Sequence, residues 1–221
     1  MCFSASASFT AAGVISAIGV AAVTRVSQPR ELPLALMPVL FGVQQAVEGA
    51  LWLCLPNCSP AEAPGLILAF LLIAQVVWPT YLPATVLLVE PDRRRRLAMF
   101  ALLALGAGVS IALLFGLLIR PPTASVDHAH IVYRTFGHYP EWGKFAYLSA
   151  TTLPLLLSSR RTLNILGGVI LIGAMVAYTA YWQAFVSIWC FFAAAASVVV
   201  LAHFQWVRRG ALESRRAESS R

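Results

Sequence analysis

The sequence predicts an all-helical membrane protein with seven transmembrane helices, and three observations lead to this fold class. Hydrophobic residues make up 59% of the 221 residues and charged residues only 11%, whereas soluble domains are roughly 45–50% apolar and about 25% charged. The mean hydropathy is +0.77. The apolar residues also form separate stretches, several of them near the roughly 20 residues that a helix needs to cross about 30 Å of hydrocarbon.

The predicted spans follow the apolar stretches in order. The first ends before Arg25, the second before Pro56, and the segment EPDRRRR separates the third from the fourth. The fifth is short and contains Pro154, and only a tight turn at 181–183 joins the sixth to the seventh. The seven spans are 4–24, 33–55, 65–89, 97–119, 143–158, 163–182 and 184–207.

The distribution of basic residues predicts the orientation. The loops after the first, third, fifth and seventh spans hold 13 of the 16 Lys and Arg residues, and the other loops hold 3. Basic residues favour the cytoplasmic side, so the N-terminus is predicted outside and the C-terminus inside. The predicted domain is 1–208, and 209–221 is predicted to be a disordered cytoplasmic tail because it is polar and charged.

The net charge of +7 does not indicate nucleic-acid binding. The basic residues lie in short clusters between apolar stretches, and no segment is long enough to form a soluble basic surface. Arg93–Arg96 and the C-terminal tail are instead predicted to contact anionic lipid headgroups. Oligomer formation is left open.

The stretch FGVQQAVEGALW, residues 41–52, places a carboxylate inside an apolar span. Glu48 lies 8 residues before Pro56, roughly 12 Å below the outer boundary at 1.5 Å per residue. Ionisable residues at such depth face the bundle or a cavity and indicate a functional site. The predicted outward-facing pocket is lined by Glu48, Gln44, Gln45, Trp52, Gln75, Tyr178 and Tyr181. The alternative is a protonated Glu48 that links helices through hydrogen bonds.

All four cysteines, Cys2, Cys54, Cys58 and Cys190, map to the predicted outer face, where disulfides form. Pairs Cys54–Cys58 and Cys2–Cys190 would close a short loop and tie the first helix to the last. Four cysteines allow three connectivities, and a cysteine metal site is the alternative.

The outer loop at about 120–142 contains VDHAHIVYRTF, which alternates as a short strand does. Gly137 is predicted to turn this strand back into a hairpin. His128 and His130 would then face the same side, with His138 nearby, and three imidazoles bind zinc or copper. Exposed loop histidines without a ligand are the alternative.

Several segments together resemble an uncharacterised family of bacterial integral membrane proteins that begin Met-Cys-Phe-Ser. They are MCFSASASF at the start, QxxEG at Gln45–Gly49, WPTYLPATVLLVEPDRRRR at 78–96 and WCFFAAAAS at 189–197. The resemblance implies a multi-span protein of the bacterial inner membrane. It implies no chemistry.

Three functions stay open. The first is a sensor or transporter that binds a small polar ligand or cation from outside at Glu48. The second is a membrane metalloenzyme or redox protein that uses the outer histidines or cysteines with zinc, copper or iron. The third is an accessory subunit of a larger membrane complex.

Overall fold

The computed structural model describes residues 4–56, 63–127, 130–135, 141–180, 192 and 196–206. The described part of the chain is helical apart from one β-hairpin and its connections. We number the helices α1 (Ala5–Val23), α2 (Leu32–Cys54), α3 (Ala63–Val89), α4 (Arg93–Ile119), α5 (Glu141–Leu157), α6 (Arg161–Ala180) and α7 (Ser197–Trp206). The hairpin strands are β1 (Thr123–Asp127) and β2 (His130–Arg134).

Five stretches of helix in the described ranges are long and apolar enough to cross a membrane. They are Ala5–Val23, Pro29–Cys54, Ala63–Val89, Arg93–Ile119 and Arg161–Thr179. The first four and the sixth predicted spans are confirmed as helices with small changes at their ends. The fifth predicted span is α5, which has 17 residues and rises only about 25 Å. The seventh falls partly outside the described residues, as does the tail at 209–221, so the span count and orientation stay predictions.

Local sequence explains where the helices begin. The Ser4 hydroxyl accepts a hydrogen bond from the Ala7 N–H at 3.3 Å, and the Asp92 carboxylate accepts one from the Arg95 N–H at 2.8 Å. A 3₁₀ turn at Pro29–Glu31 precedes α2. The Glu31 carboxylate accepts from the N–H groups of Ser27 and Gln28. These acceptors satisfy N–H groups that a helix start leaves without partners.

Helix α3 changes its winding in the middle. It is α-helical over Ala63–Leu71, π-helical over Leu72–Val77 and α-helical again over Trp78–Val89. In the i→i+5 pattern of a π-helix, the carbonyl of Ala74 would accept from residue 79, but Pro79 has no N–H. The Tyr147 hydroxyl of α5 donates to this carbonyl instead, at 2.5 Å. The freed carbonyl therefore fixes α5 against α3.

The hairpin covers one end of the bundle. Ile131 is fully buried, and the ring of Tyr133 stacks on that of Phe70 with centroids 4.6 Å apart. Both side chains lie on the same face of β2, because they are two residues apart. We refer to this end as the hairpin end and to the opposite one, where Arg93–Arg96 lie, as the arginine-rich end.

The hairpin was predicted correctly, but its turn was not. Asp127 pairs with His130, so the chain reverses between these two residues, ahead of Gly137, which lies outside the described residues. His130 begins β2 and His128 lies outside the described residues, so the prediction that the two face the same side stays a prediction. A two-residue connection is the commonest in hairpins, and this one places Ile131 over the apolar end of α3.

Candidate functional site

Two apolar clusters meet in the middle of the bundle, and buried polar residues lie where they meet. Phe41 of α2 and Trp78 of α3 belong to the cluster toward the arginine-rich end. Leu51 of α2 and Ala74 of α3 belong to the cluster toward the hairpin end. We call the residues between them the polar layer, which consists of Gln44, Gln45 and Glu48 on α2 and Gln75 in the π-helical turn of α3.

The side chains of the polar layer are removed from solvent. Gln44 and Glu48 are 0% exposed, Gln45 is 1% exposed and Gln75 is 9% exposed. Gln45 Nε2 donates to Glu48 Oε2 at 3.2 Å. This bond joins consecutive turns of α2, as the i, i+3 spacing allows. Gln45 and Glu48 are thus in direct contact, and Gln44 is buried one turn before Glu48 on the same helix.

Trp78 holds Gln44 in place. Its indole Nε1 donates to Gln44 Oε1 at 3.0 Å, and its ring stacks on Phe41 with centroids 4.0 Å apart. Gln75 lies in the π-helical turn and Trp78 follows directly after it. The wider turn changes the angle between these two side chains around the helix axis from its value in a regular α-helix. Helix α3 thereby contributes an indole donor to the same layer.

Three buried polar atoms at this level have no hydrogen-bond partner among the described residues. They are Gln44 Nε2, Gln45 Oε1 and Trp52 Nε1. Trp52 follows Glu48 by one turn toward the hairpin end and is half-buried. A buried polar atom without a partner costs about 1–3 kcal/mol, and such atoms are rare in folded proteins. Two donors and one acceptor therefore remain to be satisfied within about one helical turn of the buried Glu48 carboxylate.

Helix α1 packs closely against α2 at Gly42 and Gly49, on either side of the polar layer in sequence. A Cβ on Gly42 would lie 2.1 Å from Ser16 Oγ, and one on Gly49 would lie 3.0 Å from the Phe9 ring. The two glycines thus allow α1 to approach α2 closely. Ser8 lies on the buried face of α1 and is 0% exposed.

The other predicted pocket residue in the described ranges, Tyr178, is not part of the buried layer. It is 49% exposed on α6, near the end of that helix. Tyr181 lies outside the described residues.

The predicted metal and disulfide sites fall largely outside the described ranges. Outside these ranges lie His128, His138, Cys2, Cys58 and Cys190. His130 is described, and it is the first residue of β2. The described residues contain no group of three His, Cys, Asp or Glu side chains placed to hold a metal. Cys54 is disulfide-bonded. The other three cysteines lie outside the described residues, so both predicted pairings stay predictions.

A second polar network, at the arginine-rich end, was not predicted from the sequence. Glu90 is 3% exposed, and its carboxylate accepts from the Ser158 hydroxyl at 2.8 Å and the Ser159 N–H at 2.9 Å. Arg160 Nε donates to the Val89 carbonyl at 3.1 Å. We call these residues the Glu90 network. It joins the end of α3 to the connection between α5 and α6.

The electrostatics of Glu90 follow from these contacts. Burial alone would raise the pKa of its carboxyl, but hydrogen bonds from Ser159, Ser158 and the Asp92 N–H outweigh it, so the pKa lies below its ordinary value of 4.5.

Neighbouring side chains extend the network. Asn164 Nδ2 donates to the carbonyls of Leu155, Leu156 and Ser158, which end α5, and Thr162 hydrogen-bonds His203 Nδ1.

The Trp78–Gln44 contact gives a first testable prediction. Trp78→Phe keeps an aromatic ring but removes the donor, which leaves Gln44 Oε1 buried without a partner. We expect the free energy of unfolding in detergent to fall by about 1–3 kcal/mol. Trp142→Phe is the control, because Trp142 is 72% exposed and should change little. Equal stability of the two variants would show that the indole hydrogen bond contributes nothing.

The long apolar helices, their exposed apolar side chains and the buried polar layer are those expected of an all-helical membrane protein. A family model matches residues 1–218, and the chain belongs to this family of unknown function, DUF6629. The predicted membership of an uncharacterised family is thus confirmed. Comparisons with curated proteins and with solved structures found no match.

Proposed function

We propose that this protein binds a small polar ligand or a cation in the polar layer of a membrane-spanning bundle. The observation that carries the proposal is the set of unsatisfied buried atoms, Gln44 Nε2, Gln45 Oε1 and Trp52 Nε1, on residues within about one turn of Glu48 along α2. Polar side chains that only link helices hydrogen-bond each other. A ligand that satisfies these atoms would recover the free energy that their burial costs.

The atoms define the chemistry of the ligand. Two N–H donors require an acceptor such as a hydroxyl or carbonyl oxygen, and the Gln45 oxygen requires a donor. The Glu48 carboxylate favours a protonated amine or a metal cation, because charge-assisted hydrogen bonds are stronger than neutral ones. A metal cation alone would satisfy only the oxygens. A small molecule with an amine or hydroxyl and an oxygen acceptor fits the whole set better.

Half-buried Trp52 lies between Glu48 and the hairpin end, which makes that end the proposed entrance. With the arginine-rich end in the cytoplasm, as the positive-inside rule predicts, the entrance faces outward from the inner membrane. Sensing and transport both agree with this arrangement. The metalloenzyme alternative rests on histidines and cysteines that lie mostly outside the described residues, and it stays a prediction.

A thermal-shift measurement tests the proposal. The purified protein is unfolded in detergent with sodium, potassium or calcium chloride, ethanolamine, glycine or glycerol, each at several concentrations. We expect at least one probe to stabilise the wild type, by about 2.7 kcal/mol when its concentration is 100 times its Kd. Glu48→Gln should lose this stabilisation, since the amide lacks the charge but keeps the shape.

Glu31→Gln is the matched control. Glu31 is also buried, at 7% exposure, but it caps the turn before α2 at the arginine-rich end. This variant should keep the stabilisation by the probe. If no probe separates the wild type from Glu48→Gln and that variant only unfolds more easily, Glu48 is a link between helices and the proposal is wrong.

A further inference from the structure

The four consecutive arginines at the start of α4 differ in their surroundings. Arg95 donates from its guanidinium to the Leu157 carbonyl at 2.8 Å, at the end of α5. All four arginines are exposed, but Arg93, Arg94 and Arg96 differ from Arg95 in their contacts. Their guanidinium groups make no hydrogen bond or ion pair with any residue that the structure describes. The sequence motif therefore contains one structural arginine and three arginines without an assigned contact.

The three remaining arginines line one groove together with apolar side chains. The groove has a volume of about 710 Å³, and its lining consists of Leu87, Arg93, Arg94, Arg96, Leu97 and Phe100. Arg93, Leu97 and Phe100 follow i, i+4, i+7 spacing and share a helix face. At 3.6 residues per turn Arg95 points to the opposite side. We call this surface the arginine groove.

The apolar part of the arginine groove continues into the surface of α4. Leu97 is 73% exposed and Phe100 is 61% exposed. Farther along the helix, Ile111 and Phe115 are also more than 60% exposed. Side chains of this kind face acyl chains in a membrane protein, and the arginines lie where the headgroups would be. The groove thus has a cationic part and an apolar part in the order that a phospholipid presents its phosphate and acyl chains.

We infer that the arginine groove is a specific binding site for one anionic phospholipid. Its phosphate contacts Arg93, Arg94 and Arg96, and an acyl chain lies along Leu97 and Phe100. Guanidinium groups suit this role because their planar donors match phosphate oxygens, and basic pockets of membrane proteins recognise anionic headgroups in this way. The lining places three arginines next to Leu87, Leu97 and Phe100, so the groove offers a contact for the phosphate and a contact for an acyl chain.

Native mass spectrometry of the detergent-solubilised protein tests the inference. The probes are palmitoyl-oleoyl phosphatidylglycerol and the zwitterionic phosphatidylcholine with the same chains. We expect one phosphatidylglycerol molecule to be retained in preference to phosphatidylcholine. The variant Arg93→Gln/Arg94→Gln/Arg96→Gln should weaken this binding on the order of 100-fold.

Two controls separate a site from general charge. Arg95→Gln, and the tail variant Arg215→Gln/Arg216→Gln/Arg221→Gln with the same loss of charge as the triple groove variant, should both keep the bound lipid. Loss of binding in the tail variant to the same extent would overturn the inference. So would the absence of a preference for phosphatidylglycerol.

A further arm distinguishes a lipid from free phosphate. Leu97→Ser/Phe100→Ser keeps every arginine and should still weaken phosphatidylglycerol binding, whereas excess inorganic phosphate should not displace the lipid. Complete displacement by phosphate, with no effect of the double variant, would identify a simple anion site. This double variant also serves if the triple arginine variant fails to fold.

Discussion

Gly106→Ala is expected to disrupt the contact between α3 and α4. A Cβ at this position would lie 1.8 Å from the Pro79 carbonyl oxygen and 2.7 Å from its carbon. These are backbone atoms, which cannot rotate away as a side chain can. The free energy of unfolding in detergent should fall by about 3 kcal/mol, the upper end of the usual cost of overpacking.

Gly108→Ala on the same helix is the matched control for this substitution. A Cβ at Gly108 has no atom within 4 Å, and alanine is the better helix former by about 1 kcal/mol. We expect unchanged or slightly higher stability. The close approach of α3 to α4 would be refuted if both alanine variants unfolded at the wild-type temperature.

The second large effect is expected for Glu90→Ala. Removal of the carboxylate leaves the Ser158 hydroxyl and the N–H groups of Ser159 and Asp92 without their acceptor. A buried unpaired donor costs about 1–3 kcal/mol, and the N–H groups of Ser159 and Asp92 are partly buried, so we expect a total loss of about 3 kcal/mol. Chemical denaturation in detergent measures it. Glu90→Gln keeps one oxygen acceptor and should lose less.

The Glu90 network also predicts a dependence on pH. The pKa of Glu90 is lowered in the folded protein from its ordinary value of 4.5. The ionised carboxylate therefore stabilises the fold at pH values above 4.5, and this stabilisation disappears as the pH falls through the lower folded-state pKa. The difference in melting temperature between the wild type and Glu90→Gln isolates this carboxylate. It should be constant above pH 5 and shrink in more acidic buffer, and a difference that grew instead would contradict the assigned contacts.

The fold was largely predictable because the apolar stretches have the length of helices. The shared face of Gln44 and Glu48 was predictable for a local reason. Gln44 and Glu48 are four residues apart, so helical periodicity alone places them on one face. The pairing of Gln44 with Trp78 was not predictable, because the π-helical turn that positions the indole leaves no clear pattern in LIAQVV.

Long-range contacts account for the remaining differences. Depth calculated from 1.5 Å per residue gives the height of Tyr178 but not its direction around α6, and the side chain is 49% exposed. Glu90 precedes four arginines in sequence, which indicates a solvated charge cluster. Its actual partners, Ser158 and Ser159, come from 68 and 69 residues later, and nothing near Glu90 in the sequence indicates them.

A crystal structure of the protein grown in a lipidic mesophase tests the central proposal most directly. The proposal predicts density for a bound molecule or ion within hydrogen-bonding distance of Gln44 Nε2, Gln45 Oε1 and the Glu48 carboxylate. That density should be absent from Glu48→Gln crystals grown under the same conditions. If the amide groups of Gln44 and Gln45 instead bond to neighbouring side chains, with no density between them and Glu48, the polar layer is an interhelical link and the proposed function is wrong.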